Sequence, residues 1–336
     1  MFAKKIGLDL GTSFCRVCSS GTKDGIKTER NILIVNNQSN KVIYKGMKAF
    51  EIYGKESAEL RVVKPVKNGI LQETLYQKEL LIEMIHSISG RNPLIRPEFI
   101  VSIPSNLRES DKNSVASLLD ELGAKPNIML IPEIVLSAVG LGLPIQKSSG
   151  QAIVNLGAGT IETAVMSLGG IVAGESLHFG GDDIDTAIVE HFRVNNNIEI
   201  GIKTAENLKI EFGSPEVISN SDTSEVKGKD LATGKIVTYT FKIDSIRIAI
   251  LPSVHKIAES IKRVLEKLPP ELASDIIDNG LVITGGVSNL KNLNFYLSNY
   301  LNVPVYRLEN PFNSCILGLE YLIKNPDVLG SEITFK

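Results

Sequence analysis

The sequence predicts an α/β protein made of two similar domains that face a shared phosphate-binding cleft. A short, apolar strand, a glycine-rich turn and a returning strand follow one another in residues 151–167. The same order begins at residue 6, so the two copies lie about half a chain apart. Such a duplication is typical of related domains that bind one phosphate chain between them.

The later copy shows why this pattern suits a phosphate. Its apolar run, Ala152–Val154, is short enough for a buried strand. Gly157 and Gly159 lack a Cβ, so the backbone N–H groups of the turn can gather around an anion. Thr160 adds a hydroxyl where the turn closes. A single Gly-x-Gly turn between strands is, however, more often an ordinary hairpin.

Repetition of the turn favours the phosphate site over the hairpin. In the first copy, Asp9-Leu10-Gly11 corresponds to Asn155-Leu156-Gly157. Thr12 corresponds to Thr160 after an insertion in the later turn. Asp9 ends a strand, where a carboxylate can reach a metal-bound water near phosphates.

Composition sets the broad class. The 336 residues are 43% apolar, which is enough for two domains with large cores. The net charge of −2 provides no basic field, so we expect no nucleic-acid partner. Cys15, Cys18 and Cys315 are typical of reduced thiols, and the first two would face opposite sides of a strand. Without a membrane span or signal peptide, we expect a soluble cytoplasmic protein.

Strands and helices are predicted to alternate between the two turns. Residues 30–67 contain short alternating stretches, divided by a polar turn, and are predicted to be strands. Residues 74–89 place apolar side chains at helical spacing before a glycine, which predicts a helix packed on a sheet. Further along, the pattern predicts a buried strand, a capped helix and another strand, at residues 99–104, 110–123 and 128–131.

The second half repeats this alternation. Residues 183–194 are predicted to be helical, and Thr204 is expected to cap the next helix. Residues 213–245 are polar and strand-like. A helix is expected over Ser253–Leu268, because two prolines follow it. The strand at 281–284 then enters a glycine turn.

Taken together, these motifs resemble those of the actin, DnaK-type chaperone and sugar-kinase superfamily, and most closely the MreB-type bacterial actins. The second phosphate loop of that family resembles residues 157–162. The family's next hairpin resembles residues 167–172, its Gly-Gly-Asp motif residues 180–182, and its following helix residues 204–211. Further similar segments lie at residues 64–70, 132–144, 281–288 and 310–319.

The resemblance implies a duplicated actin-like ATPase fold, with the nucleotide in the cleft between two domains that each carry a small inserted subdomain. Domain I is expected to span residues 1–145, with its small subdomain at about 30–67, and to be completed by a C-terminal helix at 317–336. Domain II is expected to span 146–316, with its small subdomain at about 185–250.

The resemblance also implies the ligands and the site residues. ATP is the expected nucleotide, and Asp9 and Asn155 are expected to hold Mg²⁺ through water. Glu133 would orient the attacking water, with Asp9 and Thr160 assisting, although a Glu in the first turn of a helix is also an ordinary dipole-friendly residue. Glu206 and Lys209 could likewise form only a surface ion pair. The expected nucleotide contacts are Gly11, Thr12, Ser13, Phe14, Cys15, Gly157, Ala158, Gly159, Thr160, Glu206, Asn207, Leu208, Lys209, Gly285, Gly286, Val287 and Ser288.

Four positions depart from the family pattern. Phe14 stands where an Asn is common, Ile134 where a Pro follows the catalytic Glu, and Val287 where a third glycine is usual. Asn155 replaces an Asp, which removes a negative charge that opposes Mg²⁺ and helps to activate water. We therefore expect intact ATP binding with slow hydrolysis.

The function implied is that of a filament-forming bacterial actin homologue whose nucleotide-dependent polymerisation serves cell shape or intracellular organisation. Its expected partners are copies of itself, the inner face of the cytoplasmic membrane and membrane-bound morphogenetic proteins. The main alternative is a specialised or non-polymerising actin-like scaffold, such as a pilus or division adaptor or an organelle- or plasmid-positioning filament. A small-molecule kinase is a further alternative. A DnaK-type chaperone is not expected, because the sequence stops at Lys336 before any peptide-binding domain.

Leu94 and Ile95 form a candidate membrane loop, because two aliphatic residues stand between arginines in a proline-bounded segment. Local packing explains them equally well. Two such side chains would anchor a single molecule only weakly. A filament presents the pair once in every subunit, so we expect avid binding to liposomes only from filaments. The double substitution Leu94→Ser plus Ile95→Ser should reduce co-sedimentation of filaments with liposomes. Equal co-sedimentation of both proteins would contradict a membrane role for this loop.

Overall fold

The computed structural model describes residues 5–20, 25–89, 96–125, 128–218 and 221–328. The candidate membrane loop, Leu94 and Ile95, lies outside these described residues. Within the described ranges, no helix combines the length and apolar character needed to cross a bilayer.

The first half of the chain contains ten strands and four helices among its described residues. The strands are β1 (Lys5–Leu10), β2 (Phe14–Ser19), β3 (Ile26–Arg30), β4 (Leu33–Asn36), β5 (Val42–Lys45), β6 (Leu60–Val63), β7 (Val66–Lys67), β8 (Ile70–Leu71), β9 (Glu98–Ile103) and β10 (Met129–Pro132). The helices are α1 (Gly46–Ile52), α2 (Thr74–Ser89), α3 (Glu109–Glu121) and α4 (Glu133–Gly140).

The second half contains eight strands and six helices in the described part. The strands are β11 (Gln151–Leu156), β12 (Ile161–Ser167), β13 (Gly170–Leu177), β14 (Ile198–Glu199), β15 (Thr223–Asp230), β16 (Ile236–Lys242), β17 (Leu281–Thr284) and β18 (Val305–Arg307). The helices are α5 (Gly181–Asn196), α6 (Ile202–Phe212), α7 (Asp244–Leu265), α8 (Pro270–Asn279), α9 (Leu293–Leu301) and α10 (Ser314–Lys324).

The two large sheets have the same topology. One has the order β10-β9-β1-β2-β3 and the other β18-β17-β11-β12-β13. In each, the first strand pairs antiparallel with the returning strand of its glycine turn and parallel with a later strand. Because the carboxyl ends of parallel strands meet at one edge, both turns are placed where an open α/β sheet binds ligands.

Each half also carries a small three-stranded sheet. The order is β5-β4-β6 in the first half and β14-β15-β16 in the second. Helix α1 packs against the first of these sheets. Both lie within the sequence ranges where inserted subdomains were expected.

Helices α4 and α10 lie between the two large sheets. Their apolar side chains share one buried cluster with residues from both sheets, such as Ile100 of β9 and Ile153 of β11. The outer faces of the sheets belong to two other clusters, which contain α2 and α3 in one half and α5 and α7 in the other. The helix pair is therefore the layer that joins the halves.

Several helix starts differ from the sequence prediction. Helix α3 begins at Glu109 after Arg108, so Ser110 lies inside its first turn and does not cap it. Helix α6 begins at Ile202 after Gly201, so Thr204 lies inside its first turn and makes no cap. Helix α7 begins at Asp244 and contains Pro252, whereas the prediction started the helix after this proline. A proline removes only one backbone donor, and the long buried face of α7 offsets that loss.

The close crossing of α4 and α10 supports a stability prediction. A Cβ at Gly318 would overlap the backbone carbonyl of Leu136, and Gly140 meets the backbone of Ser314 in the same way. We expect Gly318→Ala to lower the free energy of unfolding by about 3 kcal/mol, because packed helices must separate to admit the methyl group.

Chemical denaturation measures this change, and Gly201→Ala is a matched control. Nothing lies within 4 Å of a Cβ placed at Gly201, so its change should stay below about 1 kcal/mol. Similar unfolding energies for the two variants would contradict the helix-crossing interpretation.

Candidate functional site

A cavity of about 450 Å³ lies between the two halves of the chain, a volume typical of small-ligand sites. Both glycine turns line it. Of the sequence-predicted site residues, those that line it are Asp9, Gly11, Thr12, Ser13, Phe14, Glu133, Asn155, Gly157, Ala158, Gly159, Thr160, Glu206, Lys209, Gly285, Gly286 and Val287.

The two turns meet at the bottom of this cavity. A Cβ at Gly159 would lie 2.5 Å from Thr12 Oγ1 and 2.9 Å from the Cα of Asn68. The backbone N–H of Gly69 donates to Thr12 Oγ1 at 3.1 Å. The absence of a side chain at Gly159 is therefore required for the close contact between the halves, as well as for access of an anion to the backbone.

The second turn is joined to the start of helix α5. The N–H groups of Gly181 and Asp182 donate to the carbonyls of Gly157 and Ala158, at 3.0 and 2.8 Å. The positive end of this sixteen-residue helix thus adjoins the turn and the cavity. Helix N-termini stabilise phosphates, so turn and helix can act on the same anion.

Asp9 is fully engaged inside the protein. The Arg16 guanidinium donates to Asp9 Oδ2 at 2.8 Å, and the Ser102 hydroxyl donates to Oδ1 at 3.0 Å. Asp9 and Arg16 are also direct cross-strand partners, so both side chains lie on the same face of the sheet.

Glu133 begins α4 and lines the cavity close to Asp9. The carboxylates of Asp9 and Glu133 and the thiol of Cys315 have ligand atoms within 4.8 Å of one another. Desolvation, strengthened by the nearby Asp9 and Glu162 charges, raises the pKa of Glu133 well above its ordinary value. Its base form therefore becomes more abundant as pH rises through that elevated pKa.

Asn155 occupies the position opposite Asp9 in the duplicated turn. Its side chain is buried, and its Nδ2 has no hydrogen-bond partner of ordinary geometry among the described residues. The amide opposes the rise in the pKa of Glu133, so the two groups are near each other. An orphaned buried donor in a cavity is expected to bind a ligand or water.

The far side of the cavity is formed by α6 and the glycine turn after β17. Lys209 Nζ lies 2.8 Å from Asp185 Oδ1 and donates to the Gly181 carbonyl at 2.9 Å. Burial raises the pKa of Asp185 to about 6, although Lys209 opposes this rise. Gly285 has a φ of +85°, which favours glycine.

Four predicted nucleotide contacts do not line the cavity. Cys15 and Leu208 are buried in the apolar cores of the two halves. Asn207 is exposed, and the buried Ser288 hydroxyl donates to the Gly285 carbonyl at 2.7 Å. The segments that contain these four residues do reach the cavity. The four side chains themselves lie on other faces of those strands and helices.

Contacts between the halves cross the mouth of the cleft. Arg30 pairs with Glu206 at 2.9 Å, and Lys64 pairs with Asp182 at 3.2 Å. Lys203 donates to the Phe50 carbonyl at 2.7 Å. All three contacts join the first half to α5 or α6, two helices of the second half that line the cavity.

Sequence reasoning missed several residues that line the cavity. Ser102 is the second-last residue of β9 and Phe312 precedes α10, and both come from segments identified only as a strand and a closing helix. Arg16 was within reach of sequence analysis, because strand alternation from a tight turn places it opposite Asp9. Cys315 had no comparable signal.

The donor set is a poor match for a resident Mg²⁺ site. Magnesium prefers charged oxygen ligands, yet Asp9 already pairs with Arg16 and Asn155 presents an unpartnered N–H donor. Burial raises the pKa of the Cys315 thiol well above its usual value, and a neutral thiol is a weak ligand for this hard ion. The described residues are therefore poorly suited to ligate Mg²⁺ directly, and the contact through water expected of Asp9 and Asn155 stays a prediction.

Comparison with solved structures confirms the predicted actin-like ATPase fold. The chain superposes on MreB 5 of Spiroplasma citri bound to AMPPNP with a TM-score of 0.92 and 28% identity, covering 97% of this chain and 98% of that one. The chain of a MamK double helical filament, at 20% identity, matches with a TM-score of 0.78 over 96% of this chain and 99% of that chain, and shows the fold alone.

Sequence comparison covers nearly the whole chain. The cell shape-determining protein Mbl of Bacillus subtilis (strain 168) is 30% identical over 329 residues, which are 98% of each chain. The cell shape-determining protein MreB of Escherichia coli (strain K12) is 30% identical over 341 residues, covering 99% of this chain and 97% of that protein. The sequence profile described as MreB/Mbl protein matches residues 3–331, and the chain belongs to this family of bacterial actins.

Proposed function

We propose that this chain is an ATP-binding, filament-forming bacterial actin homologue that acts in cell shape or intracellular organisation. The observation that carries the proposal is the pair of glycine turns, one from each half, lining a single cavity. The similar Mbl and MreB proteins are described as cell shape-determining, which supports the cellular role.

ATP is the nucleotide we assign to the cavity. The two turns would bind the phosphates through backbone N–H groups, and the positive end of α5, which adjoins the second turn, would stabilise their negative charge. The turn after β17, together with Glu206 and Lys209, would enclose the base and ribose. The solved Spiroplasma citri relatives are described as bound to AMPPNP and to ADP, which supports an adenine nucleotide.

The chemistry we assign to Glu133 is orientation and deprotonation of the attacking water. As the water oxygen bonds to the γ-phosphorus, its proton passes to the Glu133 carboxylate and the bond to the β,γ-bridging oxygen breaks. Thr160 would position the same water. Mg²⁺ would add Lewis-acid stabilisation when ATP carries it in, but no step above depends on a site for it.

The quaternary and cellular parts of the proposal follow from this site. Residues 1–145, completed by the helix near the C-terminus, form domain I, and residues 146–316 form domain II. Closure of these domains on ATP favours longitudinal contacts between copies of the chain, and hydrolysis loosens them. Filaments lie in the cytoplasm, at the inner membrane face, with Leu94 and Ile95 as the membrane loop.

Negative-stain electron microscopy tests polymerisation. We expect filaments with Mg-ATP and few or none with Mg-ADP or without nucleotide, because the triphosphate bridges both turns and favours closure. Gly159→Val is the control, since its side chain would collide with Thr12 and with the backbone of Asn68. ATP binding without filaments would instead support the non-polymerising scaffold.

Asn155→Asp tests the cause of slow hydrolysis. The substitution replaces an orphaned N–H donor with an anionic acceptor that can hold water beside the γ-phosphate, so we expect phosphate release to rise about tenfold, which is about 1.4 kcal/mol of barrier. Steady-state phosphate release measures the rate.

Glu133→Gln in the same background provides the control for that experiment. Removal of the base should lower the Asn155→Asp rate about a hundredfold. An unchanged rate in Asn155→Asp, with ATP affinity preserved, would show that residue 155 does not limit hydrolysis.

A further inference from the structure

Arg16 places a buried positive charge in the cavity, and the proposed hydrolysis has no role for it. Arg16 is only 7% exposed, and it lines the cavity together with Asp9 and Phe14. Burial of a guanidinium is costly unless its donors are satisfied. Its contacts therefore indicate how the charge is used.

Two kinds of contact hold the guanidinium in place. Nη1 donates to Asp9 Oδ2 at 2.8 Å, and the Arg16 Cζ lies 4.3 Å from the centre of the Phe312 ring and 5.5 Å from that of Phe14. The ion pair and the stacked rings orient the planar group without using all of its donors.

One of the remaining donors has no partner. The Nε of Arg16 is buried and makes no hydrogen bond to any described residue. In a simple structural ion pair with a carboxylate, Nε and a terminal nitrogen commonly bind both oxygens. Here Ser102 occupies the other Asp9 oxygen, so Asp9 engages a single terminal nitrogen of a guanidinium whose residue lines the cavity.

The equivalent positions of the second half carry different charges. Asn155 takes the place of Asp9, and its cross-strand partner is Glu162 in place of Arg16. The Glu162 carboxylate accepts a 2.6 Å hydrogen bond from the N–H of Ser105 in the first half, so it is used to join the halves. Among these four equivalent positions, Arg16 is therefore the one that carries a positive charge.

We propose that Arg16 is a phosphate-binding residue that supplies, from within the chain, positive charge that a divalent metal otherwise brings to a nucleoside triphosphate. Asp9 then serves to position Arg16. This inference rests on the proposed nucleotide function and names a specific property of that site: ATP binds with little dependence on Mg²⁺. Guanidinium groups bind phosphate oxygens through charge-assisted hydrogen bonds, which suits this role.

The test is the dissociation constant of ATP, measured by isothermal titration calorimetry in excess Mg²⁺ and in EDTA. For the unchanged protein we expect the two constants to agree within about fivefold. In Arg16→Gln we expect the constant in EDTA to rise at least about tenfold, and the constant in Mg²⁺ to rise much less, because the metal replaces the lost charge.

Arg193→Gln is the matched control, because this exposed arginine pairs with Glu190 on α5 and does not line the cavity. It should leave both constants unchanged. If Arg16→Gln does not fold, Arg16→Lys keeps the charge and loses the planar group, and should retain most of the binding in EDTA. Thermal unfolding of each variant verifies the fold.

Two results would overturn the inference while leaving the nucleotide function intact. One is ATP binding by the unchanged protein that is lost in EDTA and restored by Mg²⁺. The other is an equal loss of affinity in both buffers for folded Arg16→Gln, which would make Arg16 a structural partner of Asp9. Absence of ATP binding in either buffer would overturn the proposed function, and the inference with it.

Discussion

The crossing of α4 and α10 is the contact on which the rest of this structure depends. Gly140 and Gly318 let the two helix backbones touch, and the hydroxyls of Thr284, Ser314 and Ser137 form a buried chain of hydrogen bonds beside them. Because this helix pair fills the space between the large sheets, it sets their separation. It also places Glu133 and Cys315, one near the start of each helix, at the same cavity.

The duplicated halves have the same topology but different electrostatics. Asp9 and Arg16 form a buried ion pair in the first half, and their counterparts, Asn155 and Glu162, leave an orphaned amide donor and a carboxylate bound to a backbone N–H. A buried ion pair contributes little net stability, because desolvation offsets the attraction. The ion pair therefore adds little to folding, and its position beside the turns suits the ligand-binding role proposed for Arg16.

Closure of the cleft rests on contacts that are individually weak. Partly exposed pairs such as Lys64 with Asp182 contribute only about 0–1 kcal/mol each. The stack of Arg30 between the rings of Phe14 and Phe50 adds about 1 kcal/mol at a partly solvated site. By contrast, the floor of the cleft is held by the buried apolar cluster around α4 and α10. A ligand that contacts both turns can then shift the equilibrium of cleft closure.

The sequence by itself determined the duplicated α/β fold and the two glycine turns, because strand alternation and the absence of Cβ atoms are local properties. Other cavity residues, such as Glu133 and Lys209, were predicted from the resemblance to the bacterial actins. The loss of charge at Asn155 was predicted only from the resemblance to the bacterial actins, where an Asp is usual at this position. Only the tertiary structure decided which neighbours enter the cavity from distant segments. The Ser102 hydroxyl, the Phe312 ring and the Cys315 thiol reach Asp9 and Arg16 through sheet pairing and helix crossing, and these long-range contacts leave no periodic signal in the chain.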